Sequence, residues 1–160
     1  MTDIQALAQE LGRLLLDKHI SITAAESLTG GMISAAIVDV PGISACFHEG
    51  FVTYSDSAKE RMLGVSAEII GRFGAISAEC AREMAKGAAE HARADIGISA
   101  TGNAGPSADE GKQAGLVYIG VHTSQGTEAF PYQFQGIRRQ IREAAAEAAL
   151  KRAIEAAERF

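Results

Sequence analysis

The sequence predicts an α/β protein, a three-layer α/β/α sandwich with a mixed, mostly parallel sheet, formed by a single domain over residues 1–160. Two observations predict this class. Helical and strand patterns alternate along the chain, which is typical of a sheet covered by helices. Late in the chain, the turn sequence Thr123-Ser124-Gln125-Gly126 joins two strand candidates as a hairpin, and a hairpin makes such a sheet mixed.

The chain begins with a helix, a strand and a second helix. Apolar residues at positions 4, 7, 11, 14 and 15 share one helical face, and Thr2 or Asp3 opens this helix. Residues 21–25 contain β-forming side chains and predict a short strand. The second helix covers residues 32–38 and ends at Asp39-Val40-Pro41-Gly42.

The middle of the chain contains two further strands and three short helices. Residues 49–54 predict a second strand, and Ser55 or Asp56 then caps a helix that stops at Gly64. Ser66 and Ser77 each open another helix. Residues 96–100 are short and apolar, as expected of a buried third strand.

The last elements are the hairpin and a long helix. Strands at residues 115–122 and 127–134 flank the predicted turn, and an alanine-rich helix begins at about Gly136. Glu147 and Lys151 lie one helical turn apart in this helix, where opposite charges attract.

Composition excludes several classes of function. The net charge is −5 and no long run of Lys or Arg occurs, which argues against a nucleic-acid partner. No window approaches the roughly 20 apolar residues of a membrane span, so no membrane partner is expected. The N-terminus lacks a basic start followed by an apolar core, and the expected location is therefore cytoplasmic.

Neither a metal nor a cofactor is expected. The two cysteines, Cys46 and Cys80, are far apart and are expected to be reduced and buried. The four histidines form no pair with metal-ligand spacing, and no phosphate-binding loop with a Gly-Lys-Ser/Thr ending occurs. A Ser-His-Asp triad that uses His48 stays open, although no motif supports it.

The most informative segment joins the first strand to the second helix. It runs Ala25-Glu26-Ser27-Leu28-Thr29-Gly30-Gly31. A strand-to-helix turn of this composition exposes one hydroxyl and aims unpaired backbone N–H groups at an anion. The alternative is that Ser27 or Thr29 only caps the helix and that the glycines only turn the chain.

Tyr54 and Lys59 stand where the second strand runs into a helix. The C-terminal edge of a strand is where open α/β sheets place their sites. A lysine near a helix N-terminus is disfavoured as a cation, which suits a base that works in its neutral form. The alternative is an exposed surface lysine beside a half-buried tyrosine.

Two later segments supply groups that bind anions. A glycine-rich loop follows the third strand and offers Thr101, Gly102, Asn103 and Gly105, the parts of an oxyanion or phosphate cradle. The alternative is that this loop is only an irregular connection without a role in binding. In the last helix, Arg138 and Arg142 share a face, which suits a phosphate or else forms a basic solvated side.

A series of short motifs occurs in order along nearly the whole chain, over about residues 5–155. They are Glu26-Ser27-Leu28-Thr29-Gly30-Gly31, Asp39-Val40-Pro41-Gly42, Val52-Thr53-Tyr54-Ser55, Lys59, Gly74-Ala75-Ile76-Ser77, Thr101-Gly102, Ala104-Gly105-Pro106 and Gly115-Leu116-Val117-Tyr118. This series resembles the CinA C-terminal domain family, which includes nicotinamide-nucleotide amidases. Longer members carry an additional N-terminal domain similar to molybdopterin-binding proteins, so this sequence resembles the stand-alone form.

The resemblance implies hydrolysis of the carboxamide of nicotinamide mononucleotide to nicotinic acid mononucleotide and ammonia, in pyridine-nucleotide salvage. It implies Ser27 as the nucleophile, Lys59 as the general base and Tyr54 beside them. It further implies roles for Thr101-Gly102 and for Arg138 or Arg142, with Arg142 slightly favoured.

One segment departs from the family pattern. After Gly105-Pro106, members are commonly richer in glycine and continue to Lys-Pro-Val-Gly. In that segment this chain has fewer glycines and two acids, Asp109 and Glu110, and the segment ends with Lys112-Gln113-Ala114-Gly115. The departure leaves the nucleophile and base intact and concerns the groups that hold the ribose phosphate.

The proposed chemistry also follows from the residue types. A serine hydroxyl attacks an amide only when a base takes its proton, and a lysine acts as that base when burial lowers its pKa. Tyr54 is a candidate to relay or orient the proton. Candidates for oxyanion stabilisation are Thr29, the N–H groups of Gly30 and Gly31, and Thr101.

Two other functions stay open at this stage. One is a non-catalytic module for nucleotide sensing or partner binding, linked to competence or DNA damage. The other is a hydrolase that acts on a different amide or ester. The expected partner is a small-molecule nucleotide substrate, and the alanine-rich helices could bury the face of a homodimer or higher homo-oligomer.

Overall fold

The computed structural model describes all 160 residues, as one five-stranded sheet with six α-helices around it. The helices are α1 (Asp3–Lys18), α2 (Met32–Val38), α3 (Asp56–Leu63), α4 (Ala67–Phe73), α5 (Ala78–Ala92) and α6 (Arg138–Glu158). The strands are β1 (Ile22–Glu26), β2 (Phe51–Val52), β3 (Ile96–Gly102), β4 (Leu116–Thr123) and β5 (Gly126–Gln133). A single 3₁₀ turn covers Ile43–Ala45.

The strand order in the sheet is β2-β1-β3-β4-β5. Strand β1 pairs in parallel with both β2 and β3, whereas β4 is antiparallel to β3 and β5. Four strands therefore run in one direction and only β4 runs against them. The predicted mixed, mostly parallel sheet is confirmed, and the hairpin β4–β5 is the part that makes it mixed.

Helices cover both faces of the sheet. Helices α1, α2 and α6 pack on one face around a core cluster of 30 buried residues. Helix α5 lies across the other face, with α3 and α4 against it, around a second cluster of eight residues. This arrangement confirms the three-layer sandwich. None of the helices is both long and apolar enough to cross a membrane.

The predicted helix starts are confirmed by their capping hydrogen bonds. Thr2, Ser55, Ser66 and Ser77 each precede a helix, and each hydroxyl accepts a hydrogen bond from a backbone N–H in the first turn. Such caps satisfy donors that a helix leaves free at its N-terminus. The sequence therefore marks where these four helices begin.

The second strand is shorter than predicted. The pattern predicts residues 49–54, but only Phe51–Val52 forms a strand. The Thr53 N–H still donates to the carbonyl of Glu26, at 2.9 Å. The carbonyls of Thr53 and Tyr54 instead accept hydrogen bonds from the side chain of Lys59. The two carbonyls that follow the strand thus bind the buried lysine.

Candidate active site

The C-terminal ends of the parallel strands β1, β2 and β3 meet at one edge of the sheet, where open α/β sheets form their sites. A cleft lies at this edge, with a volume of about 130 Å³. Its walls come from the turn after β1, the start of α3, the segment before α5, the loop after β3 and the first residue of α6. The lining residues are Ser27, Leu28, Tyr54, Asp56, Lys59, Ala75, Ile76, Thr101, Gly102, Asn103, Ala104, Asp109, Glu110 and Arg138.

Ser27 is the first residue after β1, and the turn that follows fixes its position. Its N–H donates to the carbonyl of Ala100 on β3, and its carbonyl accepts from the N–H of Gly30 at 3.0 Å. Gly30 and Gly31 have φ values of +57° and +108°. Side chains with a Cβ rarely adopt these values, so the two glycines are what allows the chain to turn here.

A buried carboxylate that the sequence reasoning did not select holds the start of α2. Glu26 accepts hydrogen bonds from the N–H groups of Gly31, Ile33 and Ser34 and from the Ser34 hydroxyl. Helix α2 has no side-chain cap of its own, because its N-cap residue is Gly31. A helix that lacks Ser, Thr, Asp or Asn at its N-cap position needs another acceptor for its first N–H groups. This is the sequence signal that could have indicated the carboxylate of Glu26.

Lys59 reaches Ser27 from the first turns of α3. Its side chain is 1% exposed, and Nζ lies 2.9 Å from the Ser27 Oγ. The same Nζ lies 2.8 Å from the carbonyl oxygen of Thr53 and 3.2 Å from that of Tyr54. No carboxylate forms an ion pair with it.

An ammonium group would donate to all three neighbours, but a neutral amine fits them as well. Two of them are carbonyl oxygens, which only accept hydrogen bonds, so they take the two N–H groups of an uncharged –NH₂. The remaining lone pair then faces the Ser27 hydroxyl, which can donate its proton to it. The contact between Lys59 and Ser27 has the geometry of a general base and its nucleophile.

Burial favours this neutral form. Removal from water lowers the pKa of Lys59, although the negative charges of Asp56 and Glu110, and any thiolate form of Cys80, oppose the shift. Cys80 lies in the apolar cluster behind the lysine, and burial raises the pKa of its thiol to about 12. The thiol is therefore uncharged at neutral pH and offers no thiolate to pair with an ammonium group.

Tyr54 lines the cleft, but its hydroxyl contacts neither member of the pair. Its side chain is exposed, and the hydroxyl accepts a hydrogen bond from Nη2 of Arg138 at 2.9 Å. Only the main-chain carbonyl of Tyr54 touches Lys59. The exposed Tyr54 ring therefore lines the cleft, and no hydrogen bond joins its hydroxyl to Ser27 or Lys59.

The two candidate arginines of α6 have different surroundings. Arg138 lies at the cleft, where it donates to the carbonyl of Gly105 at 2.7 Å and to the Tyr54 hydroxyl. Arg142 is half-buried behind the turn after Ser27 and donates to the carbonyls of Leu28 and Thr29. Of the two, only Arg138 lines the cleft.

The polar side chains at the end of β3 and in the loop after it form hydrogen bonds with the backbone. The Thr101 hydroxyl donates to the carbonyl of Ala75, at 2.8 Å. The Asn103 amide nitrogen donates to the carbonyls of Ser107 and Lys112, and its oxygen accepts from the N–H of Gly105. These side chains line the cleft and shape its wall, but their polar atoms already have protein partners.

Gly102 lies at the end of β3 where that strand approaches β4 closely. A Cβ there would be 2.7 Å from both the Leu116 carbonyl oxygen and a methyl group of Val117. A side chain would therefore push the strands apart, and the glycine at this position is required by close packing.

The predicted oxyanion donors are also engaged. The N–H of Gly30 donates to the Ser27 carbonyl and the N–H of Gly31 donates to Glu26. The Thr29 hydroxyl is buried and has no hydrogen-bond partner. Of the predicted donors in this turn, only the Thr29 hydroxyl therefore has no hydrogen-bond partner in the protein.

His48 does not support a Ser-His-Asp triad. It is exposed and is absent from the cleft lining. The structure also brings no group of three or more His, Cys, Asp or Glu side chains together in an arrangement that could hold a metal ion.

Two charged residues in the loop that departs from the family pattern, Glu110 and Lys112, form hydrogen bonds with the segment before α5. We call this pair the clasp. Glu110 accepts hydrogen bonds from the N–H groups of Ala75 and Ile76, each at 3.0 Å. Lys112 donates to the carbonyls of Phe73 and Ile76, at 2.7 Å in the case of Phe73, and to Glu110. Burial alone would raise the pKa of Glu110, but these hydrogen bonds outweigh it and the pKa is lowered.

Replacing Glu110 by glutamine is expected to weaken this clasp. The amide keeps only one oxygen acceptor, so one of the two backbone donors loses its partner, and we expect about 1–3 kcal/mol less free energy of unfolding. Chemical denaturation measures this change. The neighbouring Asp109→Asn variant is the control, because the Asp109 side chain forms no hydrogen bond or ion pair, and its effect should stay within about 0.5 kcal/mol. Equal losses in the two variants would contradict a structural role for the clasp.

Comparison with known proteins identifies the family. The model of the CinA C-terminal domain matches residues 4–157. A competence-damage inducible protein of Caldicellulosiruptor saccharolyticus is 48% identical over 149 residues, which cover 92% of this chain and 36% of that protein. The chain thus spans about a third of the length of the curated relatives it matches.

Solved structures match over nearly their full length. A CinA superfamily protein from Klebsiella pneumoniae has a TM-score of 0.94 and 32% identity, with 98% of this chain and 99% of that chain covered. The competence/damage inducible protein CihA from Agrobacterium tumefaciens has a TM-score of 0.92 and 35% identity, with 97% and 96% covered. This chain therefore belongs to the CinA C-terminal domain family.

Proposed function

We propose that the chain is an amidohydrolase in which Ser27 and Lys59 form a catalytic dyad. The observation that carries the proposal is the 2.9 Å contact between Lys59 Nζ and Ser27 Oγ, in a site where burial lowers the pKa of the lysine. A structural role alone does not explain why an unpaired lysine is buried beside a hydroxyl in a cleft, since buried lysines are rare and costly.

The reaction proceeds in two stages. In the first, Lys59 takes the Ser27 proton as Oγ bonds to the amide carbon, and the same proton then passes to the departing nitrogen. Ammonia leaves and an acyl-serine remains. In the second stage, water loses a proton to Lys59 and attacks the ester, which releases the carboxylic acid and returns the proton to Ser27.

The proposed substrate is nicotinamide mononucleotide. This choice of substrate rests on the family resemblance together with the charges of the cleft. The nicotinamide ring of this nucleotide is a cationic pyridinium and its phosphate is anionic. The cleft carries charges of both signs, with Asp56 and Asp109 in its walls and Arg138 at the start of α6. Arg138 uses two of its nitrogens on protein oxygens, so further N–H donors are left for a phosphate.

The test is an ammonia-release assay on nicotinamide mononucleotide, beside free nicotinamide and NAD. We expect the mononucleotide to be turned over and free nicotinamide to be a poor substrate in both kcat and KM. The physical reason is that phosphate binding energy positions the amide against Ser27. Comparable kcat/KM values for free nicotinamide and the mononucleotide would rule out phosphate recognition.

Arg138→Met tests which group holds the phosphate. We expect it to reduce kcat/KM for the mononucleotide by about 10–100-fold, while the low rate on free nicotinamide stays the same. Arg139→Met is the matched control, because Arg139 is exposed and pairs with Glu143 on its own helix. Release of ammonia from none of the three compounds would instead favour a non-catalytic module, the alternative that the name competence-damage inducible protein leaves open.

A further inference from the structure

Two consecutive main-chain N–H groups beside the nucleophile have no protein partner. In the turn after β1, the N–H groups of Ser27, Gly30 and Gly31 all donate to protein oxygens, whereas those of Leu28 and Thr29 donate to none. Leu28 lines the cleft and Thr29 is completely buried. Buried N–H groups without a partner are rare in folded proteins, because each costs about as much as a lost hydrogen bond.

Both peptide units are held in place by their carbonyl oxygens. The Ser27 carbonyl accepts from the Gly30 N–H at 3.0 Å, and the Leu28 carbonyl accepts from Nε of Arg142 at 2.8 Å. In a trans peptide the C=O and the N–H point in opposite directions. Fixing the Leu28 carbonyl therefore turns the Thr29 N–H away from Arg142, whereas the hydrogen bond from the Gly30 N–H to the Ser27 carbonyl fixes the direction of the Leu28 N–H.

We propose that the N–H of Leu28, a residue of the cleft wall, is an oxyanion donor, and that Arg142 is a positioning residue, because it holds the carbonyls of Leu28 and Thr29 and so fixes the turn that carries this N–H. The proposal rests on the amidohydrolase function proposed above. The negative oxygen of the tetrahedral intermediate supplies the acceptor that the Leu28 N–H lacks. Donors that are oriented before the reaction stabilise such an oxygen strongly, because no reorganisation is needed when the charge develops.

The contacts of Arg142 support positioning over substrate binding. It is half-buried, and its guanidinium donates through Nε to Leu28 and through Nη2 to the Thr29 carbonyl at 3.3 Å. It fits closely against the turn, since a Cβ on Gly30 would lie 3.2 Å from Nη2.

The experiment compares Arg142→Gln and Arg142→Lys with the control Arg139→Gln. Removal of one oxyanion donor costs about 10²–10³-fold in kcat, so loss of its orientation should cost about 10–100-fold. We expect Arg142→Gln to show this loss with KM within about twofold of the parent value. Lysine still offers one donor to the Leu28 carbonyl and should restore part of the rate. Arg139→Gln should behave like the parent chain.

A second readout does not depend on the substrate. A fluorophosphonate probe reacts when the serine Oγ bonds to phosphorus, the P–F bond breaks, fluoride leaves and the serine proton passes to Lys59. The phosphoryl oxygen then occupies the oxyanion position. Labelling of Ser27, followed by mass spectrometry, should be slowed in Arg142→Gln by about the same factor as kcat.

Two results would overturn the inference. One is a raised KM with parental kcat in Arg142→Gln, which would make Arg142 a substrate contact. The other is parental labelling of Ser27 in Arg142→Gln or, should that variant fail to fold, in Arg142→Lys. A parent chain that is labelled at Ser27 but releases no ammonia from nicotinamide mononucleotide would contradict the proposed substrate alone.

Discussion

Ser27→Ala is expected to fold normally and to lose at least about 10³-fold in kcat, because covalent catalysis then has no nucleophile. The hydroxyl has only one side-chain partner, Lys59, so its removal leaves the turn and its backbone hydrogen bonds in place. The measurements are ammonia release from nicotinamide mononucleotide, fluorophosphonate labelling and circular dichroism. Labelling should disappear together with activity.

Ser99→Ala is the matched control for this prediction. Ser99 is also buried, and its hydroxyl donates to the carbonyl of Ala81 on α5, outside the cleft lining. Its loss should lower stability by about 1 kcal/mol and leave kcat close to that of the parent chain. Near-parental turnover by Ser27→Ala would show that Ser27 is not the nucleophile.

Lys59→Met is expected to be folded and inactive, and Lys59→Arg should be nearly as inactive. Methionine keeps the bulk of the side chain without a base, whereas arginine keeps the charge but does not deprotonate. Turnover measures the loss, and Lys86→Met, a change at an exposed lysine on α5, is the control. If Lys59→Arg kept most of the activity, Lys59 would hold a charge and would not be the base.

The pH dependence of kcat/KM tests the protonation state of Lys59. Burial disfavours the ammonium form and lowers the pKa, so the neutral base becomes more abundant as pH rises. Activity should therefore increase with pH through the pKa of Lys59 in the free enzyme and level off above it. The midpoint should lie below the reference value of about 10.4 for lysine. A kcat/KM that stays constant with pH below about 10.4 would argue against a lysine base.

The order of helices and strands follows from the sequence, because it depends on local signals. The hydroxyl caps, such as Ser55 and Ser77, the glycines that end helices and the apolar strand at residues 96–100 all act within a few residues. The short-range motifs around Ser27 and Lys59 likewise indicate the nucleophile and the base, since chemistry of this kind needs those residue types at the ends of strands.

Only the tertiary structure decided which groups are free to act. Arg138 and Arg142 are equivalent in the sequence pattern, yet one lines the cleft and the other binds the carbonyls of the turn after β1. The N–H groups of Gly30 and Gly31 are taken by Ser27 and Glu26. The sequence by itself thus determined the elements and the family, which local patterns and short motifs encode. The assignment of hydrogen-bond partners depends on residues that are distant in sequence and meet only after the sheet and helices have packed.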